Sequence, residues 1–231
     1  MSPRRRDAPG PAAPEVLAES LRAEILSGNL LAGTPLREEE LARAHGVSRH
    51  TVRAGLARLT SERLLETRPH HGARVRTFDE RDAIALQQLR GALEAEAVRL
   101  TRERFGGAWT REAREPVVLA IKELATAELG DDWLTVTRAH AAVHQAIVAA
   151  AASDRITEAY DRLNSETLLL LTQVRPHYPR GSLAPDHRRY FTSVQEGSIE
   201  AVHQHLERTS AFVLEGSNAS GDLATNGQDR N

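Results

Sequence analysis

The chain has 231 residues, of which 40% are hydrophobic and 27% are charged, as expected of a globular protein with one or two domains. It contains no cysteine, which excludes disulfide bonds and thiol catalysis and favours a reducing, cytoplasmic location. No apolar run is long enough to cross a bilayer, and the basic start MSPRRRDAPGPAAP lacks the apolar segment of a secretory signal.

The formal net charge of −2 conceals an uneven distribution. Up to Thr77 the chain carries 13 Lys and Arg against 9 Asp and Glu, whereas the remainder carries 17 against 23. A basic first part and an acidic second part favour an anionic partner, such as DNA phosphate, for the first part alone.

The first helix follows an N-terminal segment without periodicity. Residues 1–14 are rich in Pro, Ala and Arg and are predicted to be a disordered tail. Apolar residues then recur at helical spacing from Val16 to Leu26, and Gly28 ends this predicted helix. Gly33 and Pro35 predict a turn.

Residues 35–76 contain the most informative pattern, PLREEELARAHGVSRHTVRAGLARLTSERLLETRPHHGARVR. Gly46 allows a sharp turn after a short helix, and Ser48 is a natural N-cap for the next one. The first turn of this second helix is rich in hydrogen-bond donors, and helix-turn-helix proteins place that turn against base edges in the major groove. Sequence-specific binding of double-stranded DNA is therefore predicted.

A small β-hairpin is predicted after this helix pair. Leu65 to Arg68 and Ala73 to Arg76 are short β-like segments that flank Pro-His-His-Gly. Together with the helices they predict a winged helix-turn-helix domain over residues 15–78.

The rest of the chain is predicted to be an all-α bundle over residues 79–216, followed by a disordered tail over 217–231. Its helical periodicity is interrupted by glycine and proline, with a loop from Pro176 to Pro185. The six predicted helices cover about Asp79 to Gly106, Thr110 to Leu129, Asp132 to Ala152, Asp154 to Val174, the stretch from Pro185 to Glu196, and Ser198 to Leu214.

These motifs resemble the GntR family of bacterial transcription regulators, in the FadR-like branch whose helical FCD domain senses a ligand. The specific match is ILSGNLLAGTPLREEELARAHGVSRHTVRAGLARL followed by HHGARV; looser matches are QLRGALEAEAVRLT, HAAVHQAIVAAAASDRI and DHRRYFTSVQEGSIEAVHQHL. The resemblance implies a homodimeric regulator, most often a repressor, that binds a palindromic operator. A small effector, expected to be a carboxylate, would change its operator affinity.

By position, the resemblance implies DNA contacts in three places. The recognition helix would supply Ser48, Arg49, His50, Thr51 and Arg53, the wing tip would supply His71 and Gly72, and the phosphate contacts would come from Arg37 and Arg43. The chain departs from the family at Glu39, where Arg is frequent, at Thr51, where Pro is frequent, and at Gly55, where Ala is frequent. Gly55 within a helix costs about 1 kcal/mol relative to Ala.

A metal site is a second implication. His140 and His144 lie at i and i+4 on one face of a helix. In the family, an Asp and a His at this spacing join two later His residues around a divalent metal. Here His140 replaces the Asp, His144 and His187 match, and Thr209 replaces the last His, although His205 lies one turn earlier. Three imidazoles suit zinc or nickel; without a metal, they would be donors to an anionic effector.

Arg90 is the remaining effector candidate. It lies on the apolar stripe of its helix, and an arginine at this place in the family often meets an effector carboxylate, for which a planar guanidinium is suited. An ion pair with Glu94 at i+4 is the alternative. The effector set is thus Arg90, His140, His144 and His187.

Two other functions remain open. A metal-dependent enzyme could use the histidines, although HExxH is absent and no carboxylate beside them in the motif is an evident base. An architectural protein that binds DNA without sequence preference would leave the helical domain unexplained.

Overall fold

The computed structural model describes residues 13–68 and 72–209, which form two compact units divided between Arg76 and Thr77. The fold is mainly helical, as predicted. The predicted tails and the wing-tip residue His71 lie outside the described residues, except for Ala13 and Pro14, which belong to the first helix instead of the tail.

The N-terminal unit is a winged helix-turn-helix. Its elements are α1 (Ala13–Ser27), β1 (Pro35–Leu36), α2 (Glu38–His45), α3 (Arg49–Ser61), β2 (Leu65–Arg68) and β3 (Gly72–Val75). The strands form an antiparallel sheet in the order β1-β3-β2. Strand β1 was not predicted, because two residues are too few to show the alternation that reveals a strand.

The turn between α2 and α3 forms as the sequence predicts. Gly46 has a left-handed backbone with φ 65°, which ends α2. The Ser48 Oγ accepts a hydrogen bond of 3.1 Å from the backbone N–H of Thr51, which caps α3. These two residues set the direction in which α3 leaves the turn.

Helix α1 packs against α3 and holds it in place. Leu21 and Ile25 of α1 and Val52 and Leu59 of α3 are fully buried. At the margin, the Arg22 guanidinium donates two hydrogen bonds to the Glu62 carboxylate, of 2.8 and 2.7 Å. Burying one face of α3 in this way leaves its opposite face for solvent or a partner.

The second unit is built from helices. They are α4 (Glu80–Arg104), α5 (Arg111–Ala127), α6 (Trp133–Ala149), α7 (Asp154–Asp161), α8 (Asn164–Gln173), a 3-10 turn (Arg175–His177), α9 (Leu183–Gln195) and α10, residues 199–209. Side-chain oxygens of Asp79, Thr110 and Asp132 accept backbone N–H bonds and cap α4, α5 and α6. Residues of α5, α6 and α9 form the main apolar core.

Two predicted helix boundaries in this unit are wrong. The predicted helix from Asp154 to Val174 is two helices, separated at Arg162 and Leu163. Asn164 and Ser165 follow the break, and such side chains compete with helical backbone bonds. Helix α9 begins at Leu183, inside the predicted loop, because Pro185 is tolerated in a first helical turn.

Among the helices of residues 13–68 and 72–209, none has the length and apolar character needed to cross a lipid bilayer.

The contact between α1 and α3 explains the glycine within α3. A Cβ added at Gly55 would lie 3.2 Å from the Pro14 carbonyl oxygen and 3.3 Å from Leu17 Cδ2. We expect Gly55→Ala to lower the free energy of unfolding by about 1 kcal/mol, because overpacking of about 1–3 kcal/mol exceeds the helix-propensity gain of about 1 kcal/mol. Urea unfolding of the full chain, followed by circular dichroism, measures this change.

Two internal controls accompany that measurement. Ala57→Gly, at an exposed position of the same helix, should cost about 1 kcal/mol through propensity alone. The tryptophans Trp109 and Trp133 lie in the second unit, so their fluorescence reports that unit separately. A more stable Gly55→Ala protein would show that the helix contact does not require glycine.

Candidate DNA-reading face and histidine centre

The first turn of α3 presents its polar side chains to solvent. Arg49, His50 and Arg53 are exposed, as a base-reading face requires. Thr51 Oγ1 lies 2.9 Å from Ser48 Oγ, so these two hydroxyls also stabilise the N-terminus of the helix. Arg43 is exposed on α2.

Acidic residues of α2 pair with the exposed arginines of this face. Arg49 forms an ion pair with Glu39, and Arg53 Nε donates to Glu38 Oε2 at 2.8 Å. Arg37 pairs in the same way with Glu40, at 2.9 Å. Glu39 was recognised in the sequence as a departure from the arginine that is frequent in the family. Its position in the sequence did not reveal that its carboxylate reaches Arg49 of α3.

The sheet contributes a further arginine that sequence reasoning missed. Gly72 begins β3 with φ 71°, a conformation that favours glycine next to the predicted wing tip. A groove of about 900 Å³ runs between α3 and the sheet, and Arg53, Gly72 and Arg74 line it. Arg74 follows Ala73 in a short strand, and nothing in the sequence distinguishes it from the other arginines nearby.

Four buried histidines meet in the helical unit. His140 and His144 come from α6, His187 from α9 and His205 from α10, and each can offer a nitrogen within 4.8 Å of the others. The structure therefore brings together the three predicted histidines. Thr209, which occupies the position of the fourth ligand by resemblance, instead places its Oγ1 2.9 Å from Tyr178 Oη. His205, on the same face one turn earlier, joins the cluster.

Hydrogen bonds behind two rings determine which nitrogen carries the proton. His187 Nδ1 lies 2.7 Å from the Leu183 carbonyl oxygen, and His144 Nδ1 lies 2.9 Å from the Glu94 carboxylate. Both acceptors require an N–H, so the proton of each neutral ring is on Nδ1 and the lone pair is on Nε2. The two Nε2 atoms nevertheless face each other at 3.2 Å.

His205 adds a third nitrogen to this contact, because its Nε2 lies 3.2 Å from that of His187. Its Nδ1 lies 3.2 Å from Asp186 Oδ2 and 2.8 Å from Arg208 NH2. The Asp186 carboxylate can only accept, which favours a proton on Nδ1, whereas the Arg208 guanidinium can only donate, either to Nδ1 or to the same carboxylate, which it meets at 2.9 Å. The Nε2 atoms of His144, His187 and His205 converge in this way, at 3.2 Å in two of the pairs.

Burial favours the neutral form of His140, His187 and His205. Loss of solvent lowers the pKa of His140 and His187 well below the usual value, and the neighbouring imidazoles lower it further. Burial also lowers the pKa of His205 to about 4, although Asp186 opposes the shift. His140 Nδ1 has no hydrogen-bond partner among the described residues, so a further buried nitrogen is left unsatisfied.

Glu94 is the carboxylate that supports the cluster from behind. It is fully buried, and its oxygens accept hydrogen bonds from Tyr190 Oη at 2.7 Å, Tyr160 Oη at 2.9 Å and His144 Nδ1. Burial opposes its ionisation, but the hydrogen bond from His144, the charge of Arg90 and the hydrogen bond from Tyr190 outweigh burial and lower its pKa. From the sequence, Glu94 was predicted only as the i+4 ion-pair partner of Arg90, the alternative to an effector contact.

Arg90 is buried, and its guanidinium contacts groups other than the histidines. It donates to Gln87 Oε1 at 2.7 Å and to Tyr160 Oη at 3.0 Å. The Tyr160 hydroxyl donates in turn to Glu94, so Tyr160 connects Arg90 to Glu94, the ion-pair partner expected from the sequence. Arg90 is not one of the side chains that line the cavity beside the cluster.

That cavity has a volume of about 210 Å³. His140, His187 and His205 form part of its lining, together with Thr209, Arg189 and Arg208. A space below about 300 Å³ suits a ligand smaller than a typical drug. Arg189 and Arg208 contribute positive charge and hydrogen-bond donors to such a ligand, and both also pair with Asp186, which lines the same cavity.

Comparison with known proteins identifies the chain. Residues 14–75 match the family described as "Bacterial regulatory proteins, gntR family", and residues 85–210 match the FCD domain. The chain belongs to the GntR family and carries an FCD domain. GntR regulators bind DNA and small-molecule effectors, typically as dimers, and FCD domains often bind metal.

Relatives of this GntR protein are transcriptional regulators, not enzymes. A "Probable D-xylose utilization operon transcriptional repressor" of Paenarthrobacter nicotinovorans is 30% identical over 201 residues, which cover 87% of each chain. A solved GntR transcriptional regulator from Rhodococcus sp. RHA1 is 25% identical with a TM-score of 0.70, over 87% of this chain and 97% of that one. E. coli McbR/YncC, 19% identical over 90% of this chain and 99% of that one, shares the fold with a TM-score of 0.64.

Proposed function

We propose that this GntR regulator represses transcription as a cytoplasmic homodimer that recognises a palindromic operator. The carrying observation is the exposed first turn of α3, held by the Gly46 turn and the Ser48 cap, with Arg49 and Arg53 at its surface. Two copies of such a turn, related by a two-fold axis, read two half-sites of a palindrome. Arg43 and Arg37 would contact phosphate, and Gly72 with His71 would enter the minor groove.

We expect Arg49→Ala to abolish specific operator binding, because an arginine bidentate to guanine supplies about 1–3 kcal/mol of discrimination at each of two half-sites. Selection from random duplexes with the purified full-length protein first recovers the operator. Fluorescence anisotropy then compares wild type, Arg49→Ala and the control Arg155→Ala, an exposed arginine of α7.

Recovery of a palindrome supports a sequence-specific regulator. A wild-type protein that enriches no sequence would favour an architectural DNA-binding role. Tight operator-selective binding by Arg49→Ala, with its circular dichroism unchanged, would overturn the role of this residue.

We further propose that His144, His187 and His205 bind a divalent metal, zinc or nickel, with His140 as a fourth candidate ligand. The carrying observation is the convergence of three Nε2 atoms, separated by 3.2 Å in two of the pairs. Neighbouring nitrogens around a tetrahedral zinc ion with bonds of about 2.0–2.1 Å lie about 3.3–3.4 Å apart. Glu94 and Asp186, behind the rings, supply negative charge and fix ring orientation.

Isothermal titration of the chelator-stripped protein with Zn²⁺ and Ni²⁺ tests this site. We expect about one tight site per chain, a loss of tight binding in His187→Ala, and affinity lower by about 10–100-fold in Glu94→Gln, which removes charge behind His144. His203→Ala is the matched control, because His203 lies on α10 outside the cluster. Unchanged stoichiometry and affinity in a folded His187→Ala protein would exclude the cluster as the site.

The cavity beside the cluster is our proposed effector site, and its ligand is a small carboxylate. Arg189 and Arg208 supply two positive charges to the lining against the one negative charge of Asp186, which supports an anion, and the volume of about 210 Å³ limits its size. The role of Arg90 as a direct effector contact stays a prediction, since this residue lies beyond the lining. Coupling between effector and operator binding is expected to be about 1–3 kcal/mol.

Acetate, succinate and gluconate are the first probes of this cavity. We expect one of them to raise the melting temperature of metal-loaded protein, since a ligand that binds only the folded state stabilises it. Arg208→Ala should reduce this shift, because the charge of Arg208 faces the cavity, whereas Arg155→Ala should leave it unchanged. An equal shift in Arg208→Ala would remove this residue from the effector site.

A further inference from the structure

The two proposed base-reading arginines are each held by a carboxylate of the preceding helix. Glu39 pairs with Arg49 and Glu38 pairs with Arg53, so the contacts join the first turn of α2 to the first two turns of α3. They are pairs of exposed side chains that lie 10 and 15 residues apart in sequence. The turn at Gly46 therefore brings both carboxylates alongside the face proposed to meet DNA.

In the pair of Glu38 and Arg53, the hydrogen bond to the carboxylate leaves the NH1 and NH2 groups of Arg53 available to a DNA base. Arg53 uses Nε toward Glu38 Oε2, at 2.8 Å, and its NH1 and NH2 are at the far end of the guanidinium. A guanidinium carries five N–H donors in a planar fork, and bidentate contact with guanine needs two of them in a fixed direction. A carboxylate bonded to Nε restricts rotation of that fork.

The same carboxylates oppose unspecific attraction to DNA. Glu38, Glu39 and Glu40 occupy the first turn of α2, where the helix dipole favours negative charge. In a helix-turn-helix protein this helix crosses the DNA backbone, so its acidic side chains lie where phosphates approach. Removing one of them should strengthen binding to any duplex.

We propose that Glu38 and Glu39 are positioning residues that hold Arg53 and Arg49 for base reading and raise discrimination at the expense of total affinity. The inference rests on the proposed DNA contacts of these two arginines. It assigns a role to Glu39, the position at which this chain carries the opposite charge to the arginine frequent in the family. Each carboxylate then controls the base pair read by its own arginine.

The test compares full-length wild type, Arg49→Ala, Arg53→Ala, Glu39→Gln and Glu38→Gln on the selected operator, on operators changed one base pair at a time, and on random duplex. The two arginine variants first define which base pair each arginine reads, at low salt where residual binding is measurable. We expect Glu39→Gln to lose discrimination at the Arg49 base pair, and Glu38→Gln at the Arg53 base pair. The loss should approach the roughly 5- to 150-fold that one bidentate pair supplies.

Glu40→Gln is the matched control, because it removes the same charge from the same turn but pairs with Arg37 instead of a base-reading arginine. We expect it to raise affinity for operator and random duplex by the same factor, with discrimination unchanged. If Glu38→Gln and Glu39→Gln behave as this control does, the carboxylates act only through charge and the proposal is overturned. If Arg49→Ala and Arg53→Ala keep full operator selectivity, the base-reading assignment itself has failed.

Discussion

The buried carboxylate of Glu94 is the constraint on which the helical unit depends. A charged group without solvent is stable only with several hydrogen bonds, and Glu94 obtains them from Tyr160, Tyr190 and His144. These partners belong to α7, α9 and α6, so one side chain of α4 fixes the relative position of four helices. The same bonds orient the His144 ring, which makes the support of the fold and the geometry of the centre inseparable.

The charge balance of the centre follows from this arrangement. Burial favours neutral imidazoles, while Glu94 and Asp186 are ionised behind them, so the inner surface carries lone pairs facing one another and negative charge outside them. Lone pairs held 3.2 Å apart repel, and only a proton or a cation between them relieves that repulsion. Low pKa values disfavour the proton at His187 and His205, which is the charge balance on which the proposed metal site rests.

Local signals made much of this structure predictable. Gly46, Ser48 and the i, i+4 pair of His140 and His144 act over a few residues, and the structure places all four as their chemistry requires. The two-residue strand β1 was missed because its pairing with β3 across the chain decides it, and the break before Asn164 was missed although Asn164 and Ser165 follow it. The Glu94 hydrogen bonds and the Tyr160 link to Arg90 span 50 residues or more, and no pattern in the sequence announces them.

The departures from the family show why residue roles do not transfer by position alone. Thr209 stands where the resemblance implies a metal-ligating histidine, and His205, one turn earlier on the same helix, places its Nε2 in the cluster. Glu39 stands where arginine is frequent in the family, and its carboxylate meets Arg49 across the turn. In both cases the helix geometry determines which side chains reach the site, and residues one turn apart lie on the same helix face. A side chain one turn away can therefore take the place of a replaced residue, as His205 does for Thr209, or a residue of opposite charge can occupy the position, as Glu39 does.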